Sequence, residues 1–71
     1  MTPLLEHTLV RAQHVRSFKI LPVQPGWEAV TSLDNQVHVE RHLSDWHRVE
    51  QALRRFRLEI AALRNDGWQD A

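Results

Sequence analysis

The sequence predicts an α+β fold, in which a small β-hairpin or three-stranded antiparallel sheet packs on one long C-terminal amphipathic helix. Two patterns lead to this prediction: a helical period of about 3.6 residues in the apolar positions after residue 45, and alternation of valines with polar residues over 27–43. With 71 residues, the chain is expected to form a single small domain over 1–71.

Residues 45–66 are predicted to form the helix. Its apolar residues follow alternating spacings of three and four, which places them on one stripe: Trp46, Val49, Leu53, Phe56, Ile60 and Leu63. Ser44 or Asp45 can cap the N-terminus, and Gly67 suits the left-handed position that follows a helix. Trp68 would then contact the last residue of the stripe in a Schellman ending.

A β-hairpin is predicted over residues 27–43, with Asp34 and Asn35 as its two-residue turn. This turn sets Val30 opposite Val39, so the valines share one face of the hairpin. We expect the valine face to pack on the helix. The other face would then be left without cover, and it carries Trp27, Ala29, Thr31 and Leu33.

Residues 1–23 are predicted to form a short helix or an irregular arm that leads into an edge strand. Leu5, Leu9 and Ala12 fit one side of a short helix. The segment 17–23 has the composition of a strand, and its proline favours an edge position because proline donates no hydrogen bond to a neighbouring strand.

Charge and cysteine content exclude several classes of protein. Nine basic and nine acidic residues give a formal net charge of zero, so no overall attraction to nucleic acid or to an anionic membrane is expected. The sequence contains no cysteine, which rules out disulfides and thiolate metal sites. No apolar run approaches the ~20 residues of a membrane span, and the N-terminus does not resemble a secretory signal. We therefore expect a cytoplasmic protein that does not bind membranes.

Histidines and glutamates cluster in the segment HVERHLSDWHRVE at 38–50. Imidazole and carboxylate groups are ligands of zinc and iron. Glu40, His42 and His47 are the trio that one ion could reach if the chain reverses sharply after the strand. The same residue types are common at exposed strand positions and at helix starts. We therefore predict no metal and no cofactor, with this trio as the weaker alternative.

The sequence also lacks the patterns of an enzyme. It has only two glycines, so it contains no glycine-rich phosphate loop, and no serine lies in a nucleophile-elbow sequence. A domain of this size has little room for a substrate cleft. We therefore predict a protein that is not an enzyme.

Eight of the nine basic residues are arginines and one is a lysine, and this preference for arginine suits recognition surfaces. The helix arginines flank the apolar stripe on both sides instead of forming one basic face, which favours protein contacts. The leading hypothesis is a non-catalytic protein-interaction module, whose partner-binding candidates are Trp27, Arg48, Arg54, Arg55 and Arg57. The alternative is a small nucleic-acid-binding protein that uses the sheet face and the helix arginines.

A homodimer is expected, because a chain of this size forms a small core and the predicted hairpin leaves one face uncovered. The expected interface residues are Trp27, Leu33, Leu53 and Phe56. A stripe with heptad spacing packs either on its own sheet or on the helix of a second chain, and the sequence leaves both arrangements open.

Overall fold

The computed structural model describes residues 2–71. These residues form a five-stranded antiparallel sheet and one helix, in the order β1 (Leu5–Arg11), β2 (His14–Pro22), β3 (Trp27–Leu33), β4 (Gln36–Leu43), α1 (Trp46–Asn65) and β5 (Gln69–Asp70). The sheet order is β4-β3-β2-β1-β5, so the first four strands form a meander and the chain returns after the helix to pair β5 with β1. The predicted α+β class is confirmed, and the sheet is larger than the two or three strands expected.

The N-terminal third of the chain forms two paired strands, β1 and β2, so the predicted short helix or irregular arm is wrong. The four-residue spacing from Leu5 to Leu9 fits two strand periods as well as about one helical turn, and it therefore does not distinguish the two structures. The turn between the strands has Ala12 at φ 54°, where glycine or asparagine is usual, so the sequence carries no hairpin signal there. β2 lies inside the sheet instead of at an edge, with Pro22 as its last residue.

The β3–β4 hairpin has the predicted turn. Both of its central residues have positive φ, 51° for Asp34 and 71° for Asn35, and Val30 pairs with Val39 as expected. Beyond that pair a β-bulge shifts the register by one residue, with Glu40 as the extra residue in β4.

The helix packs on the opposite face of the hairpin from the one predicted. Ala29 is fully buried in the core and Trp27 packs against the same core, whereas Val37 and Val39 are exposed. The strand pairing explains the reversal, because the large apolar residues of β1 and β2 share the face of Ala29. These residues are Leu9, Phe18 and Ile20.

The core lies between α1 and this face of the sheet. Four helix residues are buried in it: Val49, Ala52, Phe56 and Ile60. The rings of Phe56 and Phe18 meet edge to face, with 5.2 Å between their centroids. The apolar stripe thus packs on its own sheet. Of its predicted members, Val49, Phe56 and Ile60 are buried, Leu53 and Leu63 are partly buried against the core, and Trp46 is half-exposed.

The face of the sheet away from the helix is called the open face here. Two rows of residues run across β1 to β4 at its centre, Thr8–Ser17–Ser32–Val37 and Glu6–Lys19–Val30–Val39. No helix or strand of residues 2–71 packs on these rows, which leaves three valines of this face exposed: Val15, Val37 and Val39.

Both ends of α1 fall within one residue of the prediction. The carboxylate of Asp45 caps the N-terminus by accepting a hydrogen bond of 2.9 Å from the backbone N–H of Arg48. At the other end Gly67 has φ 99°, and the N–H of Trp68 donates to the carbonyl of Leu63 at 3.0 Å, which is the long bond of a Schellman motif. Local signals in the sequence therefore define the helix.

Replacing Phe56 with alanine is expected to lower the free energy of unfolding by about 3–5 kcal/mol, because the ring is fully buried. Leu58→Ala is the matched control on the same helix, where a side chain that is 67% exposed should change stability by less than about 0.5 kcal/mol. Urea unfolding followed by circular dichroism measures both variants. Equal midpoints for the two would contradict the burial of Phe56.

The two glycines provide a test of backbone crowding. Both have positive φ, 86° for Gly26 and 99° for Gly67, so alanine is strained at either position. At Gly26 the added Cβ would lie 2.5 Å from the carbonyl oxygen of Leu43, whereas at Gly67 the nearest atom is Nε of Arg11 at 3.6 Å. We expect Gly67→Ala to cost about 1–2 kcal/mol and Gly26→Ala clearly more in the same urea experiment. Similar losses would show that the loop at Gly26 moves to accept a side chain.

Candidate interaction site on the helix

The exposed side of α1 carries a shallow groove of about 430 Å³, called the helix groove below. Its lining residues are Trp46, Glu50, Leu53, Arg54, Arg57 and Leu58. Their spacings of three, four and seven place them along one flank of the helix, beside the stripe that packs on the sheet. The groove therefore combines apolar, basic and acidic side chains on one rigid element.

Trp46 provides a large apolar surface in the helix groove. Its side chain is half-exposed, and its ring meets that of Trp27 edge to face, with 5.8 Å between the centroids. Trp27 in turn packs against the core. This contact holds the ring of Trp46 in place while part of it faces solvent, so little conformational entropy would be lost when a partner binds.

Two leucines complete the apolar part of the helix groove. Leu53 is partly buried against the core, and Leu58 is exposed on the outer side. A single exposed leucine is ordinary on a protein surface. Here Leu58 shares one groove with a tryptophan and two arginines, the residue types that are most enriched in the energetic centres of protein interfaces.

The helix arginines fall into two groups. In the first group, Arg48 pairs with the N-cap carboxylate at 3.5 Å, Arg55 with Glu40 of β4 at 3.4 Å, and Arg64 with Asp70 of β5 at 2.9 Å. Arg54 and Arg57 line the helix groove, and no carboxylate of residues 2–71 lies within 4.0 Å of either guanidinium. Arg54 and Arg57 are therefore the helix arginines that a partner can reach without displacing an internal ion pair.

The predicted partner-binding residues thus differ in whether they are available to a partner. Arg54 and Arg57 are in the helix groove, and Trp27 supports the groove from below through its contact with Trp46. Arg48 and Arg55 make ion pairs within the domain.

The predicted dimer-interface residues do not form one surface. Phe56 is fully buried against its own sheet, so it has no surface left for a second chain. Trp27 packs against the core and Leu53 lines the helix groove, whereas Leu33 is half-exposed at the end of β3. The expectation of an uncovered Trp27 face is wrong, because the hairpin presents its other face to solvent.

Sequence reasoning misses three residues of the helix groove. Trp46 is assigned to the buried stripe, although it lies at the edge of that stripe and is half-exposed. Glu50 and Leu58 receive no role in binding. The signal that could identify the groove is Leu58, an apolar residue that the helical period places away from the stripe.

The candidate metal trio is not assembled into a site. Glu40 accepts from a helix arginine, whereas the Nε2 of His42 donates to the carbonyl of Pro25 at 2.6 Å. His47 lies 3.2 Å from the amide nitrogen of the glutamine one turn later. Within residues 2–71, no group of three or more His, Asp or Glu side chains is placed to hold a metal ion.

A second polar cluster joins the two ends of the chain. Nη2 of Arg64, in the last turn of α1, donates to both carboxylate oxygens of Asp70 at 2.9 and 3.0 Å. His7 of β1 lies 2.8 Å from the same carboxylate. The hydrogen bond from His7, followed by that from Arg64, lowers the pKa of Asp70. The cluster fastens β5 to β1 and to the end of the helix, which is a structural role.

Comparisons with protein-family models, curated proteins and solved structures find no match to this chain. No helix within residues 2–71 has both the length and the apolar character needed to cross a membrane. The functional conclusion therefore depends on the geometry of the helix groove.

Because the pKa of Asp70 is lowered in the folded state, its ionised carboxylate is expected to stabilise the fold, and this contribution should be lost in acid. Its contribution is present above about pH 4, where an unfolded aspartate is ionised, and is lost as the pH falls through the lower value of the folded state. Asp70→Asn should therefore lower the thermal midpoint at pH 6, and its difference from the wild type should shrink towards pH 2. Gln69→Ala, an uncharged neighbour in β5, is the control whose difference should not vary with pH. A constant difference for Asp70→Asn would contradict the prediction.

Proposed function

We propose that this domain is a non-catalytic protein-interaction module that binds an acidic amphipathic helix of a partner protein in the helix groove. The observation that carries the proposal is the position of Arg54 and Arg57 beside the half-exposed ring of Trp46. Tryptophan and arginine supply most of the binding energy in many protein interfaces, where a flat ring and a forked cation meet a partner at low entropic cost.

The charges of the helix groove favour an acidic partner. Two guanidiniums line the groove against one carboxylate, that of Glu50. A guanidinium binds a carboxylate through two parallel hydrogen bonds, so acidic side chains of a partner would be held in a fixed geometry. A basic partner would meet like charges at Arg54 and Arg57 and would be disfavoured.

The length of the helix groove favours a helical partner. Its lining residues run from Trp46 to Leu58, which corresponds to about 18 Å along α1. A partner helix laid along this flank would present apolar side chains at spacings of three, four and seven to Trp46, Leu53 and Leu58. Its acidic side chains would then lie beside the two arginines.

Nucleic-acid binding, the alternative, receives less support from the structure. The two central rows of the open face contain Lys19 as their one basic residue among the described positions, and Glu6 pairs with it at 3.6 Å. The helix arginines divide between the helix groove and internal ion pairs. A nucleic-acid surface normally gathers its positive charge on one face.

Two helical peptides with the same apolar pattern test the proposal, one flanked by glutamates and the other by lysines at the same positions. The acidic peptide should bind at least about tenfold more tightly, shift the amide resonances of α1 in nuclear magnetic resonance spectra, and weaken with added salt. Equal binding of both peptides, or binding of neither, would contradict the proposal.

Two charge reversals separate the helix groove from the rest of the helix. Arg54→Glu combined with Arg57→Glu should invert the preference between the two peptides, because it reverses the charge of the groove. Arg48→Glu, on the other flank, is the matched control and should leave the preference unchanged. If instead duplex DNA or RNA binds with a strong salt dependence that the double variant abolishes, the nucleic-acid alternative is favoured.

A further inference from the structure

The open face of the sheet carries exposed valines beside polar residues, and no helix or strand of residues 2–71 covers it. Val15, Val37 and Val39 on this face are 43%, 69% and 51% exposed. Scattered apolar residues are ordinary on a surface, but valines grouped on one sheet face form a patch that favours association. We propose that a second copy of this chain covers the open face, sheet against sheet, in an isologous homodimer. This interface lies on the opposite side of the domain from the helix groove.

The charge of the open face suits self-association. A surface that binds its own copy must not place like charges opposite each other. In the two central rows, Lys19 and Glu6 already pair with each other at 3.6 Å, and the other six positions are uncharged. Two copies can therefore approach without strong repulsion, whereas a nucleic acid or an acidic protein would find little charge to bind.

The two serines at the centre of the open face are hydrogen-bonded to each other within one chain. The hydroxyls of Ser17 and Ser32 form a hydrogen bond with each other across β2 and β3. A buried hydroxyl is costly mainly when it lacks a partner. Because one serine donates to the other, a second sheet that covers the pair leaves one hydroxyl hydrogen without an acceptor instead of two.

The shape of the open face, with a depression on one side and a projecting valine on the other, favours one arrangement of the two copies. The row Thr8–Ser17–Ser32–Val37 has small hydroxyl residues on β1 to β3, which form the floor of a depression, and a large exposed valine on β4. A two-fold axis that runs between the sheets along β3 places β4 of each copy over β2 of the other. Val37 of one copy then lies over Ser17 of the other. The same contact occurs twice because of the two-fold symmetry, and each time the projecting valine enters the depression of the other copy.

The size of the open face suits an interface of modest strength. In this arrangement β2, β3 and β4 of the two copies overlap, and their 24 residues, at about 4.8 Å between strands and 3.4 Å per residue, give a flat area of about 390 Å² per chain. Stable interfaces bury about 600–1,000 Å² of accessible surface per partner, and a corrugated sheet exceeds its flat area. We therefore expect a dimer that dissociates on dilution in the range of micromolar concentrations.

Sedimentation velocity over about 5 to 500 μM tests the interface. Wild type should change from monomer to dimer as the concentration rises, and its thermal midpoint should rise with it. Val37→Glu should remain monomeric at the highest concentration, because it buries two like charges in the interface. The side chain of Val37 is exposed in the monomer, so circular dichroism of the dilute variant should match the wild type.

Leu58→Glu is the matched control, since Leu58 is equally exposed but lies in the helix groove. This variant should dimerise like the wild type. A wild-type chain that is monomeric at 500 μM, or a dimer that survives Val37→Glu and is lost with Leu58→Glu, would overturn the proposal.

The absence of cysteine from the sequence allows a direct test of the two-fold axis. Ser32 lies on β3, so the two copies of Ser32→Cys should face each other across packed sheets about 10 Å apart. Because both side chains point into the gap between the sheets, the two sulfur atoms would lie closer together than the sheets, and a short bismaleimide should link them in high yield. Leu58→Cys should give no link above a dilute control. Efficient linking of Leu58→Cys with none for Ser32→Cys would overturn the arrangement.

Discussion

The contact between Phe56 and Phe18 fixes which face of the sheet the helix covers, and both candidate surfaces follow from that choice. The helix has one apolar stripe, and this stripe packs against the face of the sheet that carries Phe18. One flank of the helix is therefore left with Trp46 and Leu58 in reach of solvent. The valines of the opposite face are left without cover for the same reason. A reversal of the sheet would bury the valines and expose Trp27, which is the arrangement that the hairpin alone suggests.

Local signals explain why the second half of the chain can be predicted from sequence. The stripe of α1, the cap at Asp45, the left-handed Gly67 and the turn at Asp34 each depend on residues close together in the chain. Such features are independent of how the sheet packs. The choice of face is different, because β3 carries apolar residues on both sides, with Ala29 on one and Val30 on the other. Only the pairing with β2 decides between them, and that pairing joins distant segments.

The N-terminal half escapes prediction for a related reason. Its hairpin turns at Ala12, which has positive φ but none of the residue types that mark such a turn in a sequence. Without that hairpin, β2 has no partner on one side and looks like an edge strand. The helix groove is missed in turn, because the exposure of Trp46 depends on where the start of the helix lies relative to Trp27. The features that the sequence does not predict thus share one cause: each depends on tertiary contacts between distant segments and not on residues close together in the chain.

The two proposed surfaces lie on opposite sides of the domain, and this separation has a functional consequence. In a dimer that packs open face to open face, the two sheets occupy the centre and each helix groove faces outward. Both grooves would then be free at once, related by the two-fold axis and held by rigid elements. A partner that displays two acidic helices, or that is itself dimeric, would bind the second groove at a high effective concentration. Modest affinity at each groove would then give tight binding overall. The strength of the whole assembly would also vary with the concentration of the domain, since the proposed dimer would dissociate on dilution.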